Sequence, residues 1–167
     1  MDLLIDALKR LRDDDWQRIE AVEICGGGPL EPLVKQGVAD LRASGRPVEL
    51  RGYLDKAAAE EAILRADYLL IPSRIESIPV VFSDAMKLGC PVLASPVGDL
   101  RRLVGEAPQC GLVAESVDAS ACADMIARAL RQPTADFASG LAGMARRFDL
   151  AALARGLASR HGGESHG

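Results

Sequence analysis

The sequence has few aromatic residues, no long uncharged stretch and no excess of one charge. Only 4% of its 167 residues are aromatic, and 20 Lys and Arg stand against 24 Asp and Glu, giving a formal net charge of -4. The two signs are mixed along the chain, which argues against nucleic acid as a partner. The longest uncharged stretch, residues 88–98, contains two prolines and is far shorter than the roughly 20 residues of a transmembrane segment. We therefore expect a soluble chain.

Cysteine and histidine are also scarce. The four cysteines contain no C-x-x-C pair, and both histidines lie in the C-terminal tail: Cys25, Cys90, Cys110, Cys122, His161 and His166. This arrangement argues against zinc, and no metal site is predicted. The amino terminus shows helical spacing in place of a secretory leader, so the expected compartment is the cytoplasm. Reduced, partly buried thiols fit that compartment, with a disulfide or a catalytic thiol as the alternative.

Helical and strand patterns alternate along the chain. Apolar residues at helical spacing predict helices at Leu3–Leu11, Leu30–Ala43, Lys56–Arg65, Val80–Leu88, Asp99–Val104 and Asp118–Arg131. Apolar runs between them predict strands at Arg18–Cys25, Val48–Gly52, Asp67–Ile71, Pro91–Ala94 and Gly111–Ala114. The cluster Asp13–Asp15 is expected to end the first helix. The pattern is typical of the α/β class, with a Rossmann-like, doubly wound parallel sheet and helices on both faces.

The C-terminal part is different in composition. Residues 1–132 form the predicted Rossmann-like domain, and residues 133–160, rich in Ala, Arg and Leu, are predicted to add one or two helices packed on its outside. Phe137, Phe148 and Leu150 are the expected anchors of this extension, while Trp16 and Tyr68 are predicted to pack in the domain. Residues 161–167 are expected to be a disordered tail.

Ligands of an open parallel sheet bind outside the carboxyl ends of its strands. One such end carries Gly26, Gly27 and Gly28, where bare backbone would let a diphosphate or a sugar approach closely. The signal is weak by itself, because it lacks the G-x-G-x-x-G spacing and Pro29 removes one donor. A purely structural sharp turn is the alternative.

A richer stretch begins at Pro72. Pro79 opens a predicted helix, so that the amides of Val80, Val81 and Phe82 would be free to bind phosphate. Glu76 in the preceding loop and Asp84 in the helix are acids, which repel phosphate but accept hydrogen bonds from vicinal hydroxyl groups of a ribose or hexose. The alternatives are that Glu76 caps the helix and that Asp84 is an exposed helical acid. Ser73 either caps or approaches the ligand, and Arg74 is either a surface charge or a phosphate ligand.

The stretch from Pro72 resembles the signature of family 4 glycosyltransferases, which are retaining enzymes of the GT-B fold. It contains Pro-Ser-x-x-Glu, a second acid eight residues after the first, and then Gly-x-Pro-Val. The resemblance extends over roughly residues 1–130, through the turn Ile24–Leu30, the strand Val48–Leu54 and the loop Ser95–Val104. All of it falls within the carboxyl-terminal, donor-binding half of such enzymes.

The resemblance implies a role for each candidate residue. Glu76 would contact hydroxyl groups of the transferred sugar as the catalytic residue, and Asp84 would hold the ribose. The backbone at Tyr53 and Leu54 would lie beside the base. The segment from Ile78 through Pro79 and Val80 to Val81 would face the diphosphate or sugar with its amides, of which Pro79 supplies no N–H. Gly26 and Gly27 would form the family's glycine turn. Such enzymes use a nucleotide diphosphate sugar as donor and are expected to need neither cofactor nor metal.

Three departures limit what the resemblance implies. Asp84 stands where the family usually has Glu, and Asp99 and Arg102 replace a Gly and a Glu in the loop after a later strand. The family's first donor-domain strand and its two basic diphosphate ligands have no counterpart here, nor does the acceptor half. By the family order the sheet would run Val48–Gly52, Ile19–Cys25, the absent strand, Asp67–Ile71, Pro91–Ala94 and Gly111–Ala114, which puts the gap at its centre. The chain alone is expected to be inactive.

An amino-terminal acceptor domain, in cis or on another polypeptide, is therefore the expected partner, and any peripheral membrane contact would come through that half. The alternative function is a non-catalytic nucleotide-sugar-binding or scaffolding module.

Overall fold

We describe a computed structural model, which defines residues 2–74, 79–106 and 108–161, with side chains up to residue 149. Its helices are α1 (Asp2–Leu8), α2 (Asp13–Trp16), α3 (Glu31–Ala43), α4 (Lys56–Arg65), α5 (Val80–Leu88), α6 (Leu100–Gly105), α7 (Ala119–Ala129) and α8 (Ala138–His161). Its strands are β1 (Val22–Cys25), β2 (Val48–Gly52), β3 (Leu69–Ile71), β4 (Val92–Ala94) and β5 (Gly111–Val113). The alternation confirms the predicted α/β class.

All strand pairs are parallel, and they form two sheets. β1 pairs with β2, while β3, β4 and β5 form a second sheet in that order. Each of these neighbours was expected from the sequence pattern and the resemblance. Within the described residues no backbone pairing joins β1 to β3, the position at which the resemblance places a further strand. That strand stays a prediction.

The helices form two groups that flank the sheets. α3 packs on β2, α7 packs on β4 and β5, and α1 contacts both of these helices. α5 packs between α4 and α8, and these three helices form the second group. α1 links α3, which covers the first sheet, to α7, which covers the second. Its buried residues are Leu3, Leu4, Ile5, Ala7 and Leu8.

Local signals explain where several helices begin and end. Asp55 caps α4 by accepting a hydrogen bond from the backbone N–H of Ala58 at 2.8 Å, and Asp118 caps α7 through Ser120 and Ala121. α5 ends at Gly89, whose positive φ of 71° suits glycine far better than any other residue. These caps satisfy one of the orphan N–H groups of α4 and two of those of α7.

The prediction for Asp13–Asp15 was wrong. The first helix already ends at Leu8, and Asp13–Trp16 forms a helix of its own. Asp15 occupies the third position of α2, where its carboxylate accepts a hydrogen bond from the backbone N–H of Arg12 at 3.1 Å. An acid near a helix start is favourable because it compensates the free N–H groups there. The predicted strands beginning at Arg18 and Asp67 are also shorter, with ordered pairing from Val22 and Leu69.

The C-terminal extension consists of a short 3-10 helix, Thr134–Phe137, followed by α8. Phe137 is buried and meets the ring of Tyr68 edge to face at 6.2 Å. Phe148 meets Phe82 of α5 in the same way at 5.7 Å. Both phenylalanines therefore anchor the extension as expected, and Trp16 is buried as predicted. The side chain of Leu150 and the tail residues 162–167 lie outside the described part, while His161 belongs to α8.

The contact between α1 and α3 depends on a glycine. A Cβ placed on Gly37 would lie 2.4 Å from Cγ2 of Ile5, so Gly37→Ala should separate the helices and lower stability by about 1–3 kcal/mol despite the better helix propensity of alanine. Gly143 of α8 is the matched control, because a Cβ there meets no atom within 4 Å. Gly143→Ala should be neutral or stabilise by up to about 1 kcal/mol. Urea unfolding of both variants measures the difference, and equal effects would contradict the close contact.

Candidate functional site

The glycine turn after β1 borders a small cavity. Gly26 and Gly28 have positive φ values of 107° and 151°, which is the conformational freedom that only glycine supplies cheaply. The cavity holds about 140 Å³ and is lined by Gly26–Gly28, Pro29, Leu30, Glu31, Val34 and Leu50. Val34 and Leu50 were not predicted as site residues, because their apolar spacing in α3 and β2 is also the spacing of core residues.

The residues after β2 lie next to this turn. The backbone N–H of Gly26 donates to the carbonyl oxygen of Gly52 at 2.6 Å, which joins the glycine turn to the segment that begins with Tyr53. The ring of Tyr53 is 88% exposed, and Leu54 is half-buried. The structure thus brings Gly26, Gly27, Tyr53 and Leu54 together at the carboxyl ends of β1 and β2.

The start of α5 forms a second group at the end of β3. Pro79 is the N-cap residue, and among the described residues no side chain caps the helix. The first turn of α5 contains no acid. Within the described residues, the backbone N–H groups of Val80 and Val81 have no acceptor, whereas that of Phe82 donates to Pro79 at 3.0 Å. The expectation of three free amides was therefore wrong for Phe82, whose N–H is already used in closing the first turn.

Asp84 lies in the same helix and is half-buried. In the described part of the chain its carboxylate makes no hydrogen bond and no ion pair, so both oxygens are available as acceptors. Ser73 and Pro79 are half-buried on either side of the loop that leads to the helix, and Val80 is 79% exposed. The predicted site residues Glu76 and Ile78 fall outside the described residues.

Arg74 has a partner that the sequence did not suggest. Its Nε and Nη2 donate to Oδ2 of Asp2 at 3.1 and 2.9 Å. In the sequence, the feature that could have indicated this partner is the pair of acids Asp2 and Asp6, spaced by one turn on α1. Arg102 of α6 lies 3.5 Å from Asp99 and is half-exposed. The contacts of these two arginines are with Asp2 and Asp99, and they do not direct either guanidinium toward the start of α5.

The thiols do not point to nucleophilic chemistry. Cys90, Cys110 and Cys122 are buried, and burial raises the pKa of each to about 11. Cys25 is exposed, contrary to expectation, because it is the last residue of β1 on the face opposite buried Ile24. All four are free thiols. Across the described ranges, no cluster of acidic, histidine and cysteine side chains has the composition of a metal site.

A larger, open concavity of about 510 Å³ lies at the opposite edge, beside the amino ends of β3 and β4 and the start of α8. Of the described residues that line it, Asp67 and Lys87 are charged, and the others include several alanines, Met86 and Leu141. Ligands of parallel sheets bind at the carboxyl edge, so the residues at the ends of β1, β2 and β3 remain the candidate site.

No helix among the described residues combines the length and apolar character needed to cross a bilayer.

The chain is similar to several known proteins. It is 32% identical to a D-inositol 3-phosphate glycosyltransferase of Frankia alni, over 93% of this chain and 40% of the relative. It superposes on the Anabaena protein HepE in complex with UDP with a TM-score of 0.72, at 24% identity, over 96% of this chain and 44% of HepE. For HepE in complex with UDP-glucose the TM-score is 0.74, at 20% identity, with the same coverage. The chain thus spans about two fifths of the length of the curated relatives it matches.

The structural likeness establishes the fold, and the family follows from the sequence. The sequence model of the family described as "Glycosyl transferases group 1" matches residues 1–132, which is most of the chain and includes the glycine turn, α5 and both sheets. The chain belongs to the glycosyl transferases group 1 family.

Proposed function

We propose that the chain is the donor-binding half of a retaining, family 4 glycosyltransferase, and that it binds a nucleotide diphosphate sugar at the carboxyl ends of β1, β2 and β3. The observation that carries the proposal is the start of α5, where the N–H groups of Val80 and Val81 lie one turn before the carboxylate of Asp84, and none of these groups has a partner among the residues that the structure describes. A helix start attracts phosphate, and a free carboxylate accepts bonds from hydroxyl groups. A nucleotide diphosphate with its ribose offers both.

The remaining candidate residues complete the donor site. The cavity beside Gly26 and Gly27, together with the exposed segment at Tyr53 and Leu54, is proposed to receive the nucleoside. Glu76 is proposed to contact the hydroxyl groups of the sugar and so to position the anomeric carbon. Amide dipoles at α5 would stabilise the charge that develops on the leaving diphosphate. The donor is a substrate, and no cofactor or metal is proposed.

Transfer requires an acceptor, and its site is proposed to lie on an amino-terminal half that joins this one. The curated relatives are about two and a half times as long as the stretch that this chain matches, which leaves room for such a half in them. An acceptor hydroxyl must be held about 3–3.5 Å from the reacting carbon in a closed cleft. Residues on both sides of that cleft would then be needed for transfer.

Two substitutions test the donor site. Asp84→Asn should weaken binding of UDP about tenfold, since a hydrogen bond to a charged group contributes about 1.5–3 kcal/mol. Glu76→Gln should leave UDP binding unchanged and weaken UDP-glucose by a similar factor, because the sugar is present only in the second ligand. Isothermal titration calorimetry of the 167-residue chain with both ligands measures the two effects.

Asp124→Asn is the control, because Asp124 is an exposed acid on α7. It should bind both ligands like the unsubstituted chain. Asp84→Asn should weaken UDP and UDP-glucose alike, because both contain the ribose, whereas equal losses of the two ligands in Glu76→Gln would refute the division of roles. A chain that binds neither ligand would refute the proposed function.

A further inference from the structure

The cavity beside the glycine turn has the size and the walls of a site for a flat ring. It holds about 140 Å³ and is lined by the turn 26–29, the start of α3 and one residue of β2. Its apolar walls come from Leu30, Val34 and Leu50. A protein cavity of about 150 Å³ with apolar walls admits one benzene ring. The space therefore matches a single six-membered ring, such as that of a pyrimidine.

Gly27 is the glycine of this turn that the backbone does not require. Gly26 and Gly28 have positive φ values, whereas the φ of Gly27 is not positive, so other residues could adopt its conformation. Packing does not require a glycine there either. Apart from its chain neighbours, a Cβ on Gly27 would meet only Oε2 of Glu31 among the described residues, at the ordinary contact distance of 3.6 Å. The missing side chain of Gly27 thus leaves open space between the turn and Glu31.

The carboxylate of Glu31 borders this space with a hydrogen-bond acceptor. Its Oε1 lies 2.8 Å from Nζ of Lys35, one turn along α3. Its Oε2 lies on the side of Gly27 and has no hydrogen-bond or ion-pair partner among the described residues. The Glu31 side chain is 44% exposed, so a ligand in the cavity has access to it. A carboxylate accepts hydrogen bonds and donates none, so the ligand atom opposite Oε2 must carry a proton.

We propose that Glu31 recognises the base of the donor nucleotide and selects a pyrimidine with a protonated ring nitrogen, as in uracil. This inference rests on the proposed function, which places the nucleoside in the same cavity. The N3–H of uracil would donate to Oε2 while the ring lies over Gly27. Cytosine has the same size, but its N3 carries a lone pair and no proton, so it would place a second acceptor opposite the carboxylate. Glu31 is thus a specificity-determining residue, and Gly27 provides the room for the ring.

The first test compares UDP with CDP, which differ only in the base. Isothermal titration calorimetry of the 167-residue chain should show about tenfold tighter binding of UDP, because CDP loses a hydrogen bond to a charged acceptor. Glu31→Gln should reduce this preference to less than about twofold, since an amide accepts from the N3–H of uracil and donates to the N3 of cytosine. Equal binding of UDP and CDP by the unsubstituted chain, or an unchanged preference in Glu31→Gln, would overturn the inference.

Two variants control for the loss of charge and of the ion pair. Glu61→Gln is the matched control, because Glu61 pairs with Arg65 one turn later at 2.9 Å, on α4, of which no described residue lines the cavity. Lys35→Gln removes the same ion pair as Glu31→Gln but keeps the carboxylate. Both controls should retain the preference for UDP over CDP. A loss of the preference in either control would assign the effect to general charge or to the ion pair, and would overturn the inference.

Gly27→Ala tests the placement of the ring. The methyl group would occupy the space over the turn without straining the backbone, so UDP binding should weaken at least about fivefold, with little change in melting temperature. Gly105→Ala is its control, because the φ of Gly105 is not positive either and its Cβ would lie 3.5 Å from Cγ2 of Val113. It should bind UDP like the unsubstituted chain. Unchanged UDP affinity in Gly27→Ala would show that no ring lies over Gly27, and would overturn the inference.

The outcomes separate this inference from the proposed function. If Asp84→Asn weakens UDP while the unsubstituted chain binds UDP and CDP equally, the donor site stands and only base recognition by Glu31 is wrong. If the chain binds neither nucleotide, the donor site itself fails. Circular dichroism and melting curves identify a variant that does not fold. Because Glu31→Gln and Gly27→Ala alter different sides of the cavity, each carries the test if the other does not fold.

Discussion

A β-strand fused before α1 should raise the melting temperature of the chain by about 10 °C. The resemblance places a strand of the family's donor domain before the first helix, between the positions of β1 and β3. In the test protein, about 15 residues are fused upstream of Met1, which is enough for one strand and a turn. Their sequence is the segment that precedes the matched stretch in the Frankia alni relative. Differential scanning calorimetry compares it with the unextended chain.

The free edges of the two sheets are the physical reason. Val22 and Gly26 donate to Pro47 and Gly52 on the side of β2, so by the alternation of a parallel ladder the backbone groups of Glu23 and Cys25 point to the other edge. On β3, Leu69 donates to Pro91 and Ile71 accepts from Ser95, which leaves Tyr68 and Leu70 directed away from β4. Within the described residues none of these four outward-facing residues has a backbone partner.

A strand between β1 and β3 would pair with both edges at once. Each backbone hydrogen bond contributes about 0.5–1.5 kcal/mol net, so about six new bonds give several kcal/mol, and each kcal/mol corresponds to about 2–4 °C for a chain of this size. Aggregation should fall as well, because free strand edges recruit other chains. At present Arg65 and Glu23, 3.8 Å apart, are among the contacts that link the two sides of the gap.

A Gly/Ser extension of equal length is the control, since it adds mass without strand propensity. It should leave the melting temperature unchanged. If the strand-forming extension also has no effect on melting or on aggregation, β1 and β3 do not require a strand between them and the predicted strand order is wrong.

Neighbouring strands and capped helices could be predicted from sequence because their signals are local. Apolar runs such as Leu69–Ile71 and Val92–Ala94 are characteristic of buried parallel strands, and Asp55 and Asp118 stand where N-caps belong. The Gly-Cys-Pro sequence after Leu88 marked the end of α5 correctly. In each of these cases the decisive residues are within a few positions of the element they define.

Features that depend on partners distant in sequence could not be predicted. Asp13–Asp15 looks like a helix stop because three acids repel one another, yet Asp15 is buried and pairs with Arg131, 116 positions away in the sequence. The pair of Arg74 with Asp2 spans 72 positions. Cys25 has the apolar character of a core residue, and its exposure depends on which face of β1 is covered. Such outcomes follow from packing, which the local pattern does not contain.

Among the ion pairs that the structure describes, loss of the pair between Asp15 and Arg131 should be the most destabilising. The two charged atoms are 2.7 Å apart, and the Asp15 side chain is only 2% exposed, whereas Arg131 is 39% exposed. The pair joins α2 to the end of α7. Breaking a buried pair typically costs about 3–5 kcal/mol. We expect about 2–3 kcal/mol for Arg131→Ala, because water reaches the arginine side and Arg12 is 3.6 Å from the same carboxyl group.

The asymmetry of exposure separates the two possible single substitutions. Arg131→Ala leaves a buried carboxylate without its closest cation, whereas Asp15→Asn leaves a guanidinium that water can hydrate. The first should therefore be the more destabilising, and Asp15→Asn should recover part of the loss in the double variant. Arg128→Ala, which removes an exposed arginine from the last turn of α7, is the control and should be nearly neutral. Urea unfolding of the four variants measures these differences.

The pH dependence of stability gives a second, independent measurement of the same pair. Burial raises the pKa of Asp15, but the Arg131 guanidinium and the backbone N–H of Arg12 lower it by more, so that the pKa lies below its ordinary value in the folded chain. A lowered folded-state pKa means that the stabilisation is present above the unfolded pKa of about 3.9 and is lost as the pH falls through and below it. In Arg131→Ala burial is no longer outweighed, and the pKa of Asp15 should rise above its ordinary value. Acidification from pH 7 toward pH 4 should then narrow the stability gap between the variant and the unsubstituted chain; a gap that stays constant over that range would show that the charge of Asp15 is not what Arg131 stabilises.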